Sequence, residues 1–119
     1  MSSTPRNFRL TTSGGATVAQ TVATADTPWQ RFKGLMGRRE LPDGSGLYLR
    51  PCSSIHMFFM RFPIDVAFVD KDFRVVRLYH GLRPWRVSRV VRRAKAAIEL
   101  PSGALKRAGV GVGDTLTMS

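Results

Sequence analysis

The sequence predicts a mainly β domain, a compact antiparallel β-sandwich or barrel with two short helices. Three observations predict it. Runs of strand length, rich in β-branched and aromatic residues, recur along most of the chain. Turn-forming residues separate these runs at intervals mostly too short for helices. At 119 residues the chain has the length of one domain that buries an apolar core without disulfide or metal staples. A strand and turn region covers residues 1–15, and a single β-rich domain covers residues 16–119. No internal repeat or low-complexity tract interrupts it.

Phe8 to Thr12 and Ala16 to Thr24 form the first two strands, joined by Ser13-Gly14-Gly15, a loop of hairpin length. Thr27-Pro28-Trp29-Gln30 then reads as a helix start, with Thr27 as N-cap and Pro28 at the first helical position. Trp29, Phe32, Leu35 and Met36 follow on one helical face, and Gly34 and Gly37 limit its length. Beyond the loop Leu41 to Gly46, the segments Leu47–Arg50, Ile55–Phe59, Ile64–Val69 and Phe73–Tyr79 have strand character. Asp70-Lys71-Asp72 is a turn triplet, so the strands meeting there form an antiparallel hairpin. Arg86–Val91 and Ala96–Leu100 are further strands. Ser102–Ala108 is a helical turn or two, ended by Gly109 where a left-handed residue is wanted. Asp114–Met118 is the last strand.

Composition narrows the function classes. One cysteine forms no intramolecular disulfide, and the first residues carry no apolar run of the kind a signal peptide needs, which points to a reducing cytoplasm. Arg61, Pro63, Asp65 and Asp70 break the longest apolar stretch far short of the ~20 residues that cross a bilayer, so a soluble protein with no membrane partner is expected. The formal charge is +11, from 19 basic and 8 acidic residues. Eight basic residues (Arg74, Arg77, Arg83, Arg86, Arg89, Arg92, Arg93 and Lys95) lie between Phe73 and Ile98 with no acid among them. A field of one sign concentrates anionic partners. Tyr79, His80 and Trp85 stand among these arginines, and stacking on aromatic or guanidinium planes is how single-stranded nucleic acid is held without sequence preference. The ordinary alternative is a solvated arginine-rich face.

Several blocks occur in a telling order: Gly34-Leu35-Met36-Gly37-Arg38; an apolar stretch closing on Met60; Pro63-Ile64-Asp65-Val66-Ala67-Phe68-Val69-Asp70; Ile98-Glu99-Leu100-Pro101-Ser102-Gly103; and Gly111-Val112-Gly113-Asp114. Over about residues 16 to 118 this pattern resembles the Domain of Unknown Function 192 family of small bacterial and archaeal proteins. The resemblance implies a compact, mostly β domain with no assigned activity. It marks Arg38, Met60, Asp65, Glu99 and Asp114 without giving any of them a role. Ser102 departs from the alanine usual at its position.

The run from Cys52 to Asp70 places ionisable and sulfur groups in the most apolar part of the chain. On a strand, His56, Phe58 and Met60 share one face and Met57, Phe59 and Arg61 the other. Cys52, His56 and Met60 are soft ligands, but four-residue spacing converges only on a helix, so neither a metal nor another cofactor is expected. Cys52 with His56 or His80 lacks a third orienting group for nucleophilic catalysis. Gly109 to Asp114 has no phosphate-loop lysine and precedes a strand, so it is a closing turn. Asp65 shares a strand face with Ala67 and Val69, and Glu99 lies between Ile98 and Leu100. Each is either a buried anchor or a carboxyl with shifted pKa in a pocket. Three readings stay open, and none makes an enzyme certain. The first is a small-molecule or peptide-binding module around Arg38, His56, Met60, Asp65 and Glu99. The second is an anion or single-stranded nucleic-acid binder using Arg74 to Lys95, with Trp85 among its contacts. The third is a hydrolase using Asp65 and Glu99. Ligand, pathway and oligomeric state are not legible in these residues.

Overall fold

The computed structural model describes residues 7–25, 40–57 and 60–119. Among them one sheet contains β1 (Asn7–Thr12), β2 (Thr17–Ala25), β3 (Ser45–Leu49), β4 (Ile64–Val69), β5 (Val75–Leu82), β6 (Ala96–Pro101) and β7 (Leu116–Met118). A one-turn helix, α1 (Ala104–Arg107), stands between the last two strands. The strand order is β5-β4-β6-β3-β2-β1-β7. The β1–β2 hairpin turns through Gly15, whose φ of 92° suits glycine. Gly109 ends α1 in the same conformation, at φ 70°.

The sheet is neither a sandwich nor wholly antiparallel. Its β2–β3 pair is parallel, with Val22 beside Gly46, whereas the other neighbours are antiparallel. A hairpin cannot join parallel strands, which need a long crossover. Residues 26–44 are that connection, and the helix expected from Thr27 onward lies outside the described residues. Among the described residues α1 alone stands for the two helices expected. Instead of stacking on a second sheet, this one curls into a half-barrel. Its edge strands meet at one end through an Arg74–Thr115 bridge, where the Val75 amide donates to the Asp114 carbonyl at 2.8 Å and Leu116 to Phe73 at 2.9 Å.

Curling gives the sheet two buried faces. The concave face gathers Leu10, Val18, Val22, Ala67, Val69, Val75, Ile98, Leu100 and Leu116, and Leu105 of α1 plugs one end. The convex face of the central strands carries Leu47, Leu49, Ile64, Val66, Phe68 and Ala97, covered by Ile55, Met57, Met60 and Ala94. Burial on both faces explains why β4 and β6 are buried at every position and read as near-continuous apolar runs. Each fully buried Leu, Ile or Phe contributes roughly 1.5–3 kcal/mol. Gly46 is required by close approach: a Cβ there would lie 2.9 Å from Leu100 Cδ2 and 3.1 Å from the Glu99 carbonyl oxygen.

Of two expected strands, Ile55–Phe59 and Arg86–Val91, the described residues 55–57 and 86–91 are not members of the sheet. They run beside one another, sharing one isolated bridge between His56 and Val87. Trp85 breaks regular pairing with a φ of 66°. The Ser88 hydroxyl takes the Ile55 amide at 2.8 Å, replacing a backbone acceptor. The expected alternation holds from Ile55 through Met57 but not across the segment: Met60 is buried like Met57, while His56 and Arg61 are exposed.

Candidate functional site

Asp65 lies at the start of β4 on the concave face and is fully buried. Its Oδ1 accepts the Gly81 amide at 2.8 Å. Its Oδ2 accepts the amides of Gly103 at 3.0 Å and Leu105 at 3.1 Å. One carboxylate thus ties the end of β5 and the first turn of α1 to β4, satisfying amides that α1 leaves unpaired. An open cleft over this junction is lined by Asp65, His80, Gly81, Ser102, Gly103, Lys106, Gly109 and Val110. With three amides already bound, Asp65 is an anchor there.

Glu99 lies on β6, where Val66 is its partner on β4 and Leu47 its partner on β3. It is 5% exposed, and among the described residues its Oε2 has no hydrogen-bond partner. Burial pushes its pKa up to about 8. Directly paired residues share a face, so Glu99 looks to the convex side with Val66, while Asp65 pairs with Leu100 on the concave side. The two carboxyls face away from each other, which removes the paired-carboxylate hydrolase.

The other pocket candidates scatter. Met60 packs in the convex-face cluster. His56 is exposed on the loop that covers it, and Arg38 lies outside the described residues. Cys52 donates its thiol hydrogen to the Ser54 carbonyl at 3.1 Å. Among the described residues no three His, Cys, Asp or Glu side chains cluster as a metal would need. Asp114 accepts the Gly111 amide at 2.7 Å, making the closing turn that the glycine-rich sequence suggested.

The arginine-rich segment is another matter. Arg74, Arg77, Arg83, Arg86, Arg89, Arg92, Arg93 and Lys95 are all exposed. Among the described residues the one ion pair is Arg107–Asp43 at 3.6 Å, so none of the eight is neutralised by direct pairing. The backbone beneath them is pinned. Trp85 N donates to the Met57 carbonyl at 2.7 Å, Met57 N to Arg86 at 2.7 Å, Ser88 N to Ile55 at 2.7 Å and Val91 N to Ser53 at 2.7 Å. Tyr79 adds a side-chain tether: its hydroxyl oxygen accepts the Arg89 amide at 2.9 Å. The Tyr79 ring meets Phe68 edge-on at 6.1 Å and carries the Arg77 guanidinium 5.1 Å from its centroid. Trp85 is 59% exposed, and Val87 and Val90 beside it are 59% and 70% exposed.

Comparison with known proteins places this architecture. The family profile of DUF192, described as an uncharacterised conserved group, matches residues 9–118. This chain belongs to the DUF192 family. A UPF0127 protein of Pyrococcus furiosus is 36% identical over 112 residues, covering 90% of this chain and 94% of the relative. One of Thermococcus sibiricus is 37% identical over 100 residues, 80% of this chain but only 64% of that longer relative. Among solved structures, a protein of Sinorhizobium meliloti 1021 named a "putative transcription regulator" superposes with a TM-score of 0.83 at 27% identity, covering 99% of this chain and 98% of the other. A Novosphingobium aromaticivorans protein of unknown function gives 0.81 at 25% identity, covering 95% and 84%. In this DUF192 chain the resemblance-marked Met60, Asp65 and Asp114 serve packing and anchoring. No helix among the described residues is long and apolar enough to cross a membrane.

Sequence reasoning passed over Ser88, Tyr48 and Phe73. Ser88 carries no motif. Phe73 had a signal: it occupies the last position of the Asp70-Lys71-Asp72-Phe73 turn, where hairpins of this kind favour glycine, and it adopts φ 62°.

Proposed function

We propose that this chain binds single-stranded nucleic acid along the Arg74–Lys95 segment. The observation that carries the reading is a set of eight exposed basic residues, none in an ion pair among the described residues, on a backbone fixed by hydrogen bonds, with the exposed Trp85 among them. Cations neutralise phosphates and release counterions, while exposed aromatic faces accept bases of any identity. A rigid support matters because immobilising free arginine side chains on a mobile loop would cost additional entropy. The name of the Sinorhizobium meliloti relative, whose fold spans this whole chain, lends support from outside the chain.

The deciding experiment is fluorescence anisotropy with labelled oligothymidylate over a salt series. Affinity falls linearly in log–log form, with a slope of about −0.7 per phosphate neutralised. The double variant Arg89→Glu and Arg92→Glu binds less tightly and with a shallower slope. Undetectable or salt-independent binding rejects the reading, and an equal preference for duplex rejects the stacking part of it.

A further inference from the structure

At the end of the half-barrel opposite α1, a cavity of about 380 Å³ is lined by Tyr48, Arg50, Pro51, Asp70, Lys71, Phe73, Lys95 and Ala96. Its volume falls within the range of small-molecule sites, roughly 300–1,000 Å³. The contents of its wall are chemically specific. Tyr48 and Phe73 stack with centroids 5.6 Å apart and planes 23° apart, and both rings belong to the wall. Arg50 hydrogen-bonds the Tyr48 phenol. Lys71 and Lys95 are exposed, and neither is in an ion pair with a described carboxylate.

The one acid in the wall is already engaged. Asp70 Oδ1 accepts the amides of Asp72 at 2.8 Å and Arg74 at 3.0 Å. Arg74 and Arg93 stand near enough to act on its charge. Three cations thus line the cavity against one carboxylate committed to the turn. The turn in turn places Phe73 against Tyr48, in a left-handed conformation that a phenylalanine rarely adopts.

We propose that this pocket binds a single nucleotide unit, the base lying against the Tyr48–Phe73 pair and the phosphate held by Lys71 and Lys95. The assignment deepens the strand-binding reading and rests on it for the identity of the anion. Its own observations are the aromatic pair, the cavity and two ammonium groups that no described carboxylate pairs. Lys95, which lines the pocket, also belongs to the arginine-rich segment.

The test is isothermal titration of the full chain with adenosine 5′-monophosphate, adenosine and inorganic phosphate in parallel. The monophosphate binds more tightly than either fragment. The variant Lys71→Ala with Lys95→Ala weakens the monophosphate about tenfold and leaves adenosine unchanged. Phe73→Leu, which keeps apolar bulk, weakens both the nucleotide and the nucleoside, with thermal melting confirming that each variant is folded. Arg89→Glu with Arg92→Glu leaves mononucleotide binding intact while reducing oligothymidylate binding. Mononucleotide binding that is absent, matched by phosphate alone, or unaffected by loss of both lysines overturns the pocket even where the oligomer binds. Mononucleotide binding lost with the lysines, in a protein that binds no oligomer, establishes the pocket and overturns the strand reading instead.

Discussion

Asp65 and Glu99 sit on adjacent strands, offset by one residue in register, and face opposite sides of the same sheet. Asp65 meets three backbone amides on the concave side. Glu99 meets Leu47 and Val66 on the convex side, with an oxygen that no described residue pairs. Two carboxyls that look alike in sequence therefore have opposite physical situations. One is an acceptor engaged by three amides, the other a desolvated group whose neutral form is favoured.

Substituting Asp65 tests the anchoring role. Asp65→Asn turns one acceptor oxygen into a donor facing an amide, and Asp65→Ala strips partners from all three. Orphaned buried donors cost about 1–3 kcal/mol each, so both variants are expected to lose roughly 2–4 kcal/mol in urea denaturation, Ala more than Asn. A midpoint unchanged from the parent would show that the junction of β4, β5 and α1 does not depend on this side chain.

Gly46 is a point of close approach between β2, β3 and β6. A methyl at Gly46 meets Leu100 Cδ2, which can move, and the Glu99 carbonyl oxygen, which belongs to the ladder and cannot move freely. Gly46→Ala is therefore expected to destabilise by about 1–3 kcal/mol, read by thermal melting. Stability equal to the parent would mean that the sheet relaxes around the methyl without loss.

The strands and their turns were legible because period-two burial and turn chemistry are local. Ile64–Val69 and Ala96–Leu100 came out within a residue of their observed limits, and the faces of Asp65, Ala67 and Val69 followed from the pleat. What failed was non-local. Nothing in β2 or β3 announces that they pair in parallel, and nothing in Ile55–Phe59 or Arg86–Val91 announces that Trp85 and Ser88 will spoil their ladder. The same limit governs the site. Burial of Glu99 was legible in its apolar neighbours, but its face relative to Asp65 depends on a register between strands about 30 residues apart. The Tyr48–Phe73 pair joins β3 to a turn far along the chain.

Tyr79 links the fold to the basic surface, and removing its hydroxyl isolates that link. Tyr79→Phe keeps the ring contacts with Phe68 and Arg77 but leaves the Arg89 amide to water. Because Arg89 is exposed, water replaces the lost acceptor and the global cost is about 0.5–1 kcal/mol. The local effect is larger: amide exchange at Ser88 to Val90 quickens several-fold while β4 and β6 stay protected. Oligothymidylate affinity should fall with it, since the arginines then sit on a looser support. Exchange rates in this loop identical to those of the parent would assign no tethering role to the hydroxyl.

Glu99 makes stability depend on pH with a defined sign. Burial raises its folded pKa to about 8, whereas an unfolded chain leaves a glutamate near 4.3. Between these values the folded state holds a proton that the unfolded state has released, so stability falls as pH rises. The contribution is fully present below about pH 4.3, is lost progressively up to about pH 8, and is level above that. Glu99→Gln keeps the shape and removes the titration. The difference between variant and parent, followed by urea denaturation from pH 5 to 9, should therefore shift steadily in favour of the variant and reach a few kcal/mol at the alkaline end. Subtracting the two curves cancels the titrations the proteins share. Curves that stay parallel across the whole range would mean that Glu99 is solvated or paired as a carboxylate.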